Sequence, residues 1–251
     1  MRIAICDDET IILDEVSSYI KKYSKLCGKS ELEVLTFNSA SSLLNALDNG
    51  DLFDIFLLDV YIGDEMGTEL AREIPECRDI GVLSGPQFAA EVARGVPTGS
   101  TLAGTIGALN AGHVALNDMY LSDSDDVIGT QVCGVGKNAV ALISGYCSVA
   151  CAGENERAMI FTRAWDEVVS IGLAMGAQIR TFLGLCGIGD LFLSATSTTS
   201  RNFSGGVAIA SGKEPEGTVE GIFALKGLLN RARNLGIETP VLDEMFARLK
   251  I

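Results

Sequence analysis

The chain has 251 residues, of which 47% are apolar and 21% are charged, so it can form one large domain or two ordinary ones with a substantial core. This composition excludes collagen-like, disulfide-scaffold and fully disordered chains. The 19 basic and 33 acidic side chains give a net charge of −14, which disfavours nucleic acid as a partner. The seven cysteines are dispersed, no uninterrupted apolar run reaches membrane-spanning length, and the N-terminal residues do not resemble a signal peptide. We therefore expect a cytoplasmic protein without a membrane partner.

The first third of the chain, residues 1–74, alternates short β-rich segments with helical ones. Apolar periodicity predicts strands at RIAIC, LEVLTF and FDIFLLDV, and helices over 11–25, 39–46 and 67–74. Continuous apolar runs such as 55–58 indicate strands that are covered on both faces, which is typical of a parallel α/β sheet.

The remaining residues continue this alternation and then become helical. Strands are predicted at DIGVLSG and STLAG, with helices over 88–94 and from 104 onward, followed by an acidic loop at 121–126. Helices are then predicted over 137–150, 155–175, 218–235 and 240–249, the first of them as a core helix. The predicted fold class is an α/β parallel sheet followed by an all-α domain, divided into residues 1–74, 75–125 and 126–251.

Three carboxylates follow two of the predicted strands. Asp7 and Asp8 come directly after the first strand, and Asp59 ends the third. The carboxyl ends of parallel strands meet at one edge of a sheet, so these side chains are predicted to converge there. Oxygen ligands of this kind suit Mg²⁺, whereas the alternative is three solvated turn residues.

The segments ICDDE, FDIFLLDVYIGDEMG and ELAREI resemble the first half of a response-regulator receiver domain. The resemblance implies that Asp59 accepts a phosphoryl group from a histidine kinase. It also implies that Mg²⁺ is bound by Asp7, Asp8, Asp59 and the carbonyl of Tyr61. Receivers need a lysine after their fifth strand, which neutralises the phosphoryl group, but this chain has none between Lys29 and Lys137.

The second part of the chain offers different chemistry. A lysine, an aspartate and an arginine–asparagine pair, at Lys137, Asp190 and Arg201–Asn202, provide a proton donor, an orienting acid and an anion clamp. Lys137 begins an apolar helical segment, where desolvation favours proton transfer. The alternatives are that Lys137 is a solvent-facing residue at a helix start, and that Arg201 and Asn202, preceded by Ser200, begin a helix with ordinary surface contacts.

Residues 75–251 closely resemble the NAD(P)-dependent glycerol-3-phosphate dehydrogenases. The blocks that carry the resemblance are VLSGPQFAAEVARGVPT, SDDVIGTQVCGVGKN, GENERAMIFTRAWDEV, TFLGLCGIGDLFLSATS, TSRN and VEGIFALKG. The resemblance implies hydride transfer between a nicotinamide cofactor and the dihydroxyacetone phosphate/glycerol 3-phosphate couple, with Lys137 and Asp190 as catalytic residues. It implies that the substrate is bound by Gly85, Gln87, Asn138, Ser194, Ser200, Arg201 and Asn202, and the cofactor by Ala89, Arg201 and Glu220.

The chain departs from this family in its first third. The glycine-rich turn that approaches the cofactor pyrophosphate is replaced by CDDETI, and the family's second active-site lysine is absent. We therefore predict weak NAD(P) binding and impaired activity, with the choice between NAD and NADP left open. A junction near residues 74 and 75 would join half a receiver to half a dinucleotide-binding (Rossmann-like) domain in one composite sheet. A natural fusion, an engineered fusion and an error of sequence assembly all fit this junction.

The runner-up interpretation is a receiver-like, Mg²⁺-binding phosphoacceptor fused to an inert helical domain. The expected partners are a small phosphorylated substrate, a histidine kinase and a second copy of the chain in a homodimer. Neither nucleic acid nor a membrane is expected.

Overall fold

A computed structural model of the chain describes residues 1–26, 32–59, 61–63, 65–75, 77, 79–116 and 119–250. The chain divides into two compact units, residues 1–80 and residues 81–251. Each unit has its own sheet, and the second unit also contains a large group of helices.

The first unit alternates strands and helices, as predicted. Its elements are β1 (Arg2–Cys6), α1 (Thr10–Leu26), β2 (Glu33–Phe37), α2 (Ala40–Asp48), β3 (Ile55–Leu58), β4 (Tyr61–Ile62), β5 (Glu65–Met66) and α3 (Gly67–Glu73). The strands β1, β2 and β3 form a parallel sheet in the order β2-β1-β3, and β4 and β5 form a small antiparallel pair.

The two faces of the first sheet are covered unequally. Ala4 and Cys6 of β1 pack on a cluster that includes residues of α2 and α3. Ile3 and Ile5 point to the other face and pack with residues of α1 and β2. The prediction that Ile55–Leu58 is covered on both faces is wrong, because Ile55 and Leu57 are 40% and 41% exposed. The cluster around Ile3 and Ile5 contains residues of α1, β1 and β2 and the residue before β2. It does not extend across β3.

The second unit begins with a mixed sheet. Its elements are β6 (Gly81–Ser84), α4 (Ala89–Val92), β7 (Gly99–Gly104), α5 (Ile106–Ala115) and β8 (Tyr120–Ser124). β7 and β8 are parallel, but β6 runs antiparallel to β7, and these three strands form a sheet separate from β2-β1-β3, so the prediction of one composite parallel sheet is wrong. The link between β6 and β7 contains the short helix α4 and Gly95, whose φ is +72°, and an alternation of strand and helix does not by itself fix whether the next strand is parallel or antiparallel.

The predicted acidic loop at 121–126 is also wrong in its first part, because β8 occupies Tyr120–Ser124. Serine and aspartate have low strand propensity, but the whole segment pairs with β7 from Gly99 to Ala103. Backbone pairing with a buried neighbouring strand outweighs local propensity here.

Helices make up the rest of the second unit. They are α6 (Val127–Ala150), α7 (Glu154–Ala174), α8 (Ile179–Phe182), a π turn (Leu185–Gly189), α9 (Asp190–Thr196), α10 (Arg201–Ala210), α11 (Glu220–Leu235) and α12 (Pro240–Leu249). The predicted helices over 155–175, 218–235 and 240–249 match α7, α11 and α12 within two residues at each end. The short helices α8 and α9 were not predicted, and a helix start at Arg201, where α10 begins, was raised only as an alternative.

The central helix α6 begins ten residues earlier than predicted, so Lys137 lies near its middle rather than at its start. Asp126 caps the helix by accepting a hydrogen bond from the Gly129 amide at 2.8 Å, which lets the glycine-containing segment after it enter the helix. Most of α6 is buried in the largest apolar cluster, as expected of a core helix.

Two segments, Val127–Ala150 and Ile179–Thr196, are long and apolar enough to cross a membrane by length and composition. In an apolar stretch of 18 residues within each segment, 61% and 39% of the residues are buried inside the protein. A core helix of a soluble protein has the same length and composition, so these two segments are weak evidence for a membrane span.

Candidate active site

A buried ion pair joins the middle of α6 to the first residue of α9. The Lys137 Nζ atom lies 2.6 Å from Asp190 Oδ2, and the Ser194 hydroxyl donates to Asp190 Oδ1 at 3.2 Å. The Asp190 side chain is 1% exposed and that of Lys137 is 22% exposed. The carboxylate is therefore held in the interior, and the ammonium group reaches toward solvent from it.

The electrostatics of this pair follow from burial. Desolvation raises the pKa of Asp190 above its ordinary value, while the Lys137 ammonium and the Ser194 hydroxyl oppose part of that rise. A buried carboxylate without a positive partner is strongly unfavourable, so the buried Asp190 carboxylate depends on the Lys137 ammonium group. The result is a lysine of fixed position that can exchange a proton with a bound molecule.

The π turn before α9 sets the position of Asp190. Gly187 in this turn has non-helical dihedrals, with φ −88° and ψ −106°. A Cβ atom at Gly187 would lie 2.1 Å from the Phe182 carbonyl oxygen, so this kink accepts glycine alone. The Cys186 amide also donates to Thr101 Oγ1 at 3.3 Å, which ties the turn to β7.

A second polar cluster lies between α6, α10 and α11. The Glu220 carboxylate accepts from Asn138 Nδ2 at 3.0 Å with one oxygen and from an Arg201 nitrogen at 2.9 Å with the other. The buried Asn202 side chain accepts from the Gly221 amide at 2.8 Å. Three helices thus bring the predicted substrate and cofactor residues of this group together. Ser200 belongs to the same segment, where its hydroxyl caps α10 by accepting from the Phe203 amide at 3.3 Å.

Close packing of α6 against α10 makes this cluster possible. A Cβ atom at Gly145 would lie 1.9 Å from the Phe203 carbonyl oxygen, and one at Gly206 would lie 2.1 Å from that of Leu142. Glycine at these positions lets the two backbones approach directly. Arg201, at the start of α10, is thereby brought close to the residues of α6.

The residues predicted in the SGPQFA block lie at the end of β6. Gly85 is buried against β7, since a Cβ there would meet Ser100 Cα at 2.7 Å, and the Gln87 amide donates to the Ser100 hydroxyl. Ala89 is the exposed first residue of α4. Gln87 is thus bonded to β7, whereas Lys137 is bonded to α9. The roles of Gly85, Gln87 and Ala89 toward substrate and cofactor stay predictions.

The first unit contains the separate carboxylate cluster. Ligand oxygens of Asp7, Asp8 and Asp59 all lie within 4.8 Å of one another, with Asp7 buried and the other two exposed. The Asp59 amide donates to the Cys6 carbonyl at 3.0 Å, which fixes the ends of β1 and β3 side by side. Tyr61 begins β4, but its side chain lies outside the described residues, and ligation by its carbonyl stays a prediction.

One residue near the site was not singled out from the sequence. Asp126 caps α6 with one oxygen, and its other oxygen accepts from the Gln178 amide at 2.8 Å and from the Thr181 hydroxyl. It therefore ties the helix of Lys137 to the segment that leads to Asp190. The signal that could have found it is an aspartate directly before an apolar helical run, which is a typical N-cap.

Comparison with protein-family models gives two matches. Residues 126–250 match the model described as the C-terminus of NAD-dependent glycerol-3-phosphate dehydrogenase, and residues 63–108 match the model of its N-terminus. The second match begins twelve residues before the boundary that the sequence analysis placed at residue 75.

Curated relatives give the same result. The chain is 38% identical over 194 residues to glycerol-3-phosphate dehydrogenase [NAD(P)+] of Methylibium petroleiphilum, covering 73% of this chain and 58% of that protein. It is 38% identical over 188 residues to the enzyme of the same name from Delftia acidovorans, covering 71% and 56%. The chain thus spans a little over half the length of these curated relatives.

Solved structures share the fold. The crystal structure of glycerol-3-phosphate dehydrogenase from Coxiella burnetii matches with a TM-score of 0.74 and 21% identity, covering 99% of this chain and 94% of that one. A glycerol-3-phosphate dehydrogenase from Plasmodium falciparum matches with a TM-score of 0.70 and 18% identity, covering 86% and 67%. These structures support a Rossmann-like α/β fold with a helical C-terminal part. From residue 63 to residue 250, the chain belongs to the family of NAD-dependent glycerol-3-phosphate dehydrogenases.

Proposed function

We propose that the chain carries the catalytic and phosphate-binding part of a glycerol-3-phosphate dehydrogenase that uses NAD(P). The observation that carries the proposal is the ion pair between Lys137 and the buried Asp190, 2.6 Å apart. A bound nicotinamide would exchange a hydride with carbon 2 of the dihydroxyacetone phosphate/glycerol 3-phosphate couple. The nicotinamide supplies the hydride chemistry, and the chain's own residues supply the proton and the binding contacts.

Lys137 acts as the acid and base in this proposal. During reduction the ammonium donates a proton to the oxygen on carbon 2, and during oxidation the neutral amine accepts it back. Asp190 stabilises the charged lysine and fixes its direction, while Ser194 orients Asp190 and borders the substrate. The buried position of Asp190 keeps water from competing for the Lys137 hydrogen bond.

Arg201 and Asn202 bind the substrate phosphate in this proposal. Both lie in the first turn of α10, a ten-residue helix whose positive end favours an anion. Ser200 and Asn138 complete the polar surface around Arg201, and Gly85 and Gln87 border the substrate from β6. Ala89, Arg201 and Glu220 are assigned to the cofactor side.

The turn after β1 does not fit the pyrophosphate of NAD(P). Three carboxylate side chains, Asp7, Asp8 and Asp59, lie within 4.8 Å of one another at this strand edge, and they repel an anion. No glycine follows β1 in the connection to α1. We therefore propose that cofactor binding is weak and that activity is impaired.

The test is consumption of NADH with dihydroxyacetone phosphate at millimolar NADH, measured for the wild type and for Lys137→Ala. Slow turnover that falls by about 10²- to 10⁴-fold in the variant supports the proposal. Turnover that is equal in both proteins removes Lys137 from the catalytic role. Retained fluorescence of Trp165, the chain's one tryptophan, checks that the variant is folded.

A second candidate function, Mg²⁺ binding by a receiver-like first unit, is supported by the cluster of Asp7, Asp8 and Asp59. The strand order β2-β1-β3 also places the loops after β1 and β3 next to each other. Three carboxylate oxygens and solvent suit the octahedral shell of Mg²⁺. A histidine kinase as phosphoryl donor and a homodimer stay predictions.

A thermal melt with and without millimolar MgCl₂ tests the second candidate. Mg²⁺ is expected to raise the melting temperature of the wild type, since an ion that binds the folded state stabilises it by mass action. Asp59→Asn is expected to lose most of that gain. Asp48→Asn, which removes an exposed acid at the end of α2, is the matched control and keeps the gain. Equal shifts in wild type and Asp59→Asn would refute the site.

The cytoplasm is the proposed location. Cys77, Cys133, Cys147, Cys151 and Cys186 are thiols outside any disulfide, which suits a reducing compartment.

A further inference from the structure

The Glu220 carboxylate is hydrogen-bonded to Arg201, the charged residue of the proposed phosphate clamp, and to Asn138 beside it. Its oxygens accept from Asn138 Nδ2 at 3.0 Å and from Arg201 at 2.9 Å. We propose that Glu220 is a built-in competitor for Arg201, and that a ligand phosphate has to displace it. This inference rests on the proposed role of Arg201 as the phosphate clamp.

The geometry supports an internal competitor rather than a structural brace. Glu220 is the first residue of α11, Asn138 lies on α6 and Arg201 begins α10, so one carboxylate bridges three helices. These helices are already held by close packing at Gly145, Gly206 and Gly221, where backbones meet without intervening side chains. The packing therefore does not require the bridge.

Exposure decides whether the bridge is displaceable. The side chains of Arg201 and Glu220 are 59% and 46% exposed, in contrast to 1% for Asp190 in the other ion pair. Exposed ion pairs contribute little to stability, so an anion of higher charge can replace the carboxylate. A phosphate monoester carries a charge of about −1.5 to −2 near neutral pH, compared with −1 for the carboxylate.

This difference makes Glu220 a selectivity residue. A ligand of single charge gains little binding free energy at Arg201, because the carboxylate that it replaces has the same charge. A phosphate dianion gains more. Glu220 also repels a phosphate bound at Arg201, because unit charges about 4 Å apart in water interact by about 1 kcal/mol. Neutralising Glu220 is therefore expected to raise phosphate affinity by roughly three- to tenfold at low salt, with a smaller gain at high salt.

The test is a calorimetric titration with inorganic phosphate at slightly alkaline pH and low salt. Four proteins are compared: the wild type, Glu220→Gln, Arg201→Gln and Glu238→Gln. Glutamine keeps the size of the side chain and removes its charge. Glu238 is an exposed acid beyond the far end of the 16-residue helix α11, about 24 Å along the helix from Glu220, so it controls for net charge.

The inference predicts tighter phosphate binding by Glu220→Gln, wild-type binding by Glu238→Gln and loss of binding in Arg201→Gln. Unchanged or weaker binding by Glu220→Gln, with Arg201 still required, overturns the competitor role and leaves the clamp intact. Binding that does not depend on Arg201 overturns both the clamp and its competitor. No measurable binding by either the wild type or Glu220→Gln also counts against both.

Discussion

Replacing Gly145 with alanine tests the close approach of α6 and α10. The new Cβ atom would lie 1.9 Å from the Phe203 carbonyl oxygen, whereas ordinary contacts begin near 3.4 Å, so the helices must separate by about 1.5 Å. Overpacking of this kind costs about 1–3 kcal/mol, occasionally more. Alanine recovers up to about 1 kcal/mol through its helix propensity. The expected net effect is a loss of about 1–2 kcal/mol, with movement of Arg201 away from Asn138.

Gly227→Ala is the matched control for this substitution. Gly227 lies inside α11, and a Cβ atom there would meet no described atom within 4 Å, so alanine is expected to stabilise the helix by about 0.5–1 kcal/mol. Urea unfolding followed through Trp165, which is buried in the helical core, reports on this unit. Opposite signs for the two variants support the packing argument. A Gly145→Ala protein as stable as Gly227→Ala would refute it.

Further predictions concern the first unit and a buried acid in the second. NADH is expected to bind no tighter than about millimolar, or roughly −4 kcal/mol, and calorimetry showing micromolar affinity would contradict the argument from the acidic turn. Gly67→Ala is expected to lose the Mg²⁺-dependent rise in melting temperature, because its Cβ would lie 1.9 Å from the Asp59 carbonyl oxygen and would displace Asp59. An unchanged rise would count against this placement of Asp59. Burial raises the pKa of the Glu167 carboxyl group by more than the hydrogen bonds from the Leu242 and Val241 backbone amides lower it. The folded chain therefore holds this proton more tightly than the unfolded chain does. Its contribution to stability is therefore greatest below the ordinary carboxyl pKa and falls as pH rises through the raised pKa; urea unfolding at several pH values should show this trend weakened in Glu167→Gln.

Local signals in the sequence predicted the parts of the fold that depend on local structure. Helix α11 ends before Gly236, whose φ is +69°, and α12 begins at Pro240. These residues are strong stop and start signals, which is why the predicted bounds match. The start of α6 was missed because glycines dilute its apolar periodicity, while its cap at Asp126 depends on one side chain.

Features that depend on distant partners were not predictable in the same way. The direction of β6 is set by its pairing with β7, and the strand at β8 exists because β7 lies beside it. In the site, motif resemblance singled out Lys137 and Asp190 as candidate catalytic residues, and these side chains, separated by 53 residues in sequence, meet in the structure. The bridge from Glu220 to Asn138 and Arg201 depends on the approach of three helices, and no pattern in the sequence reports that approach.

Binding of glycerol 3-phosphate, the proposed substrate, tests the central claim most directly. Calorimetric titration with glycerol 3-phosphate is predicted to show saturable binding by the wild type and its loss in Arg201→Gln, while glycerol, which lacks the phosphate, gives no binding. Equal binding of glycerol 3-phosphate by both proteins, or no binding by the wild type, would contradict the assignment of the second unit as the substrate-binding part of the dehydrogenase.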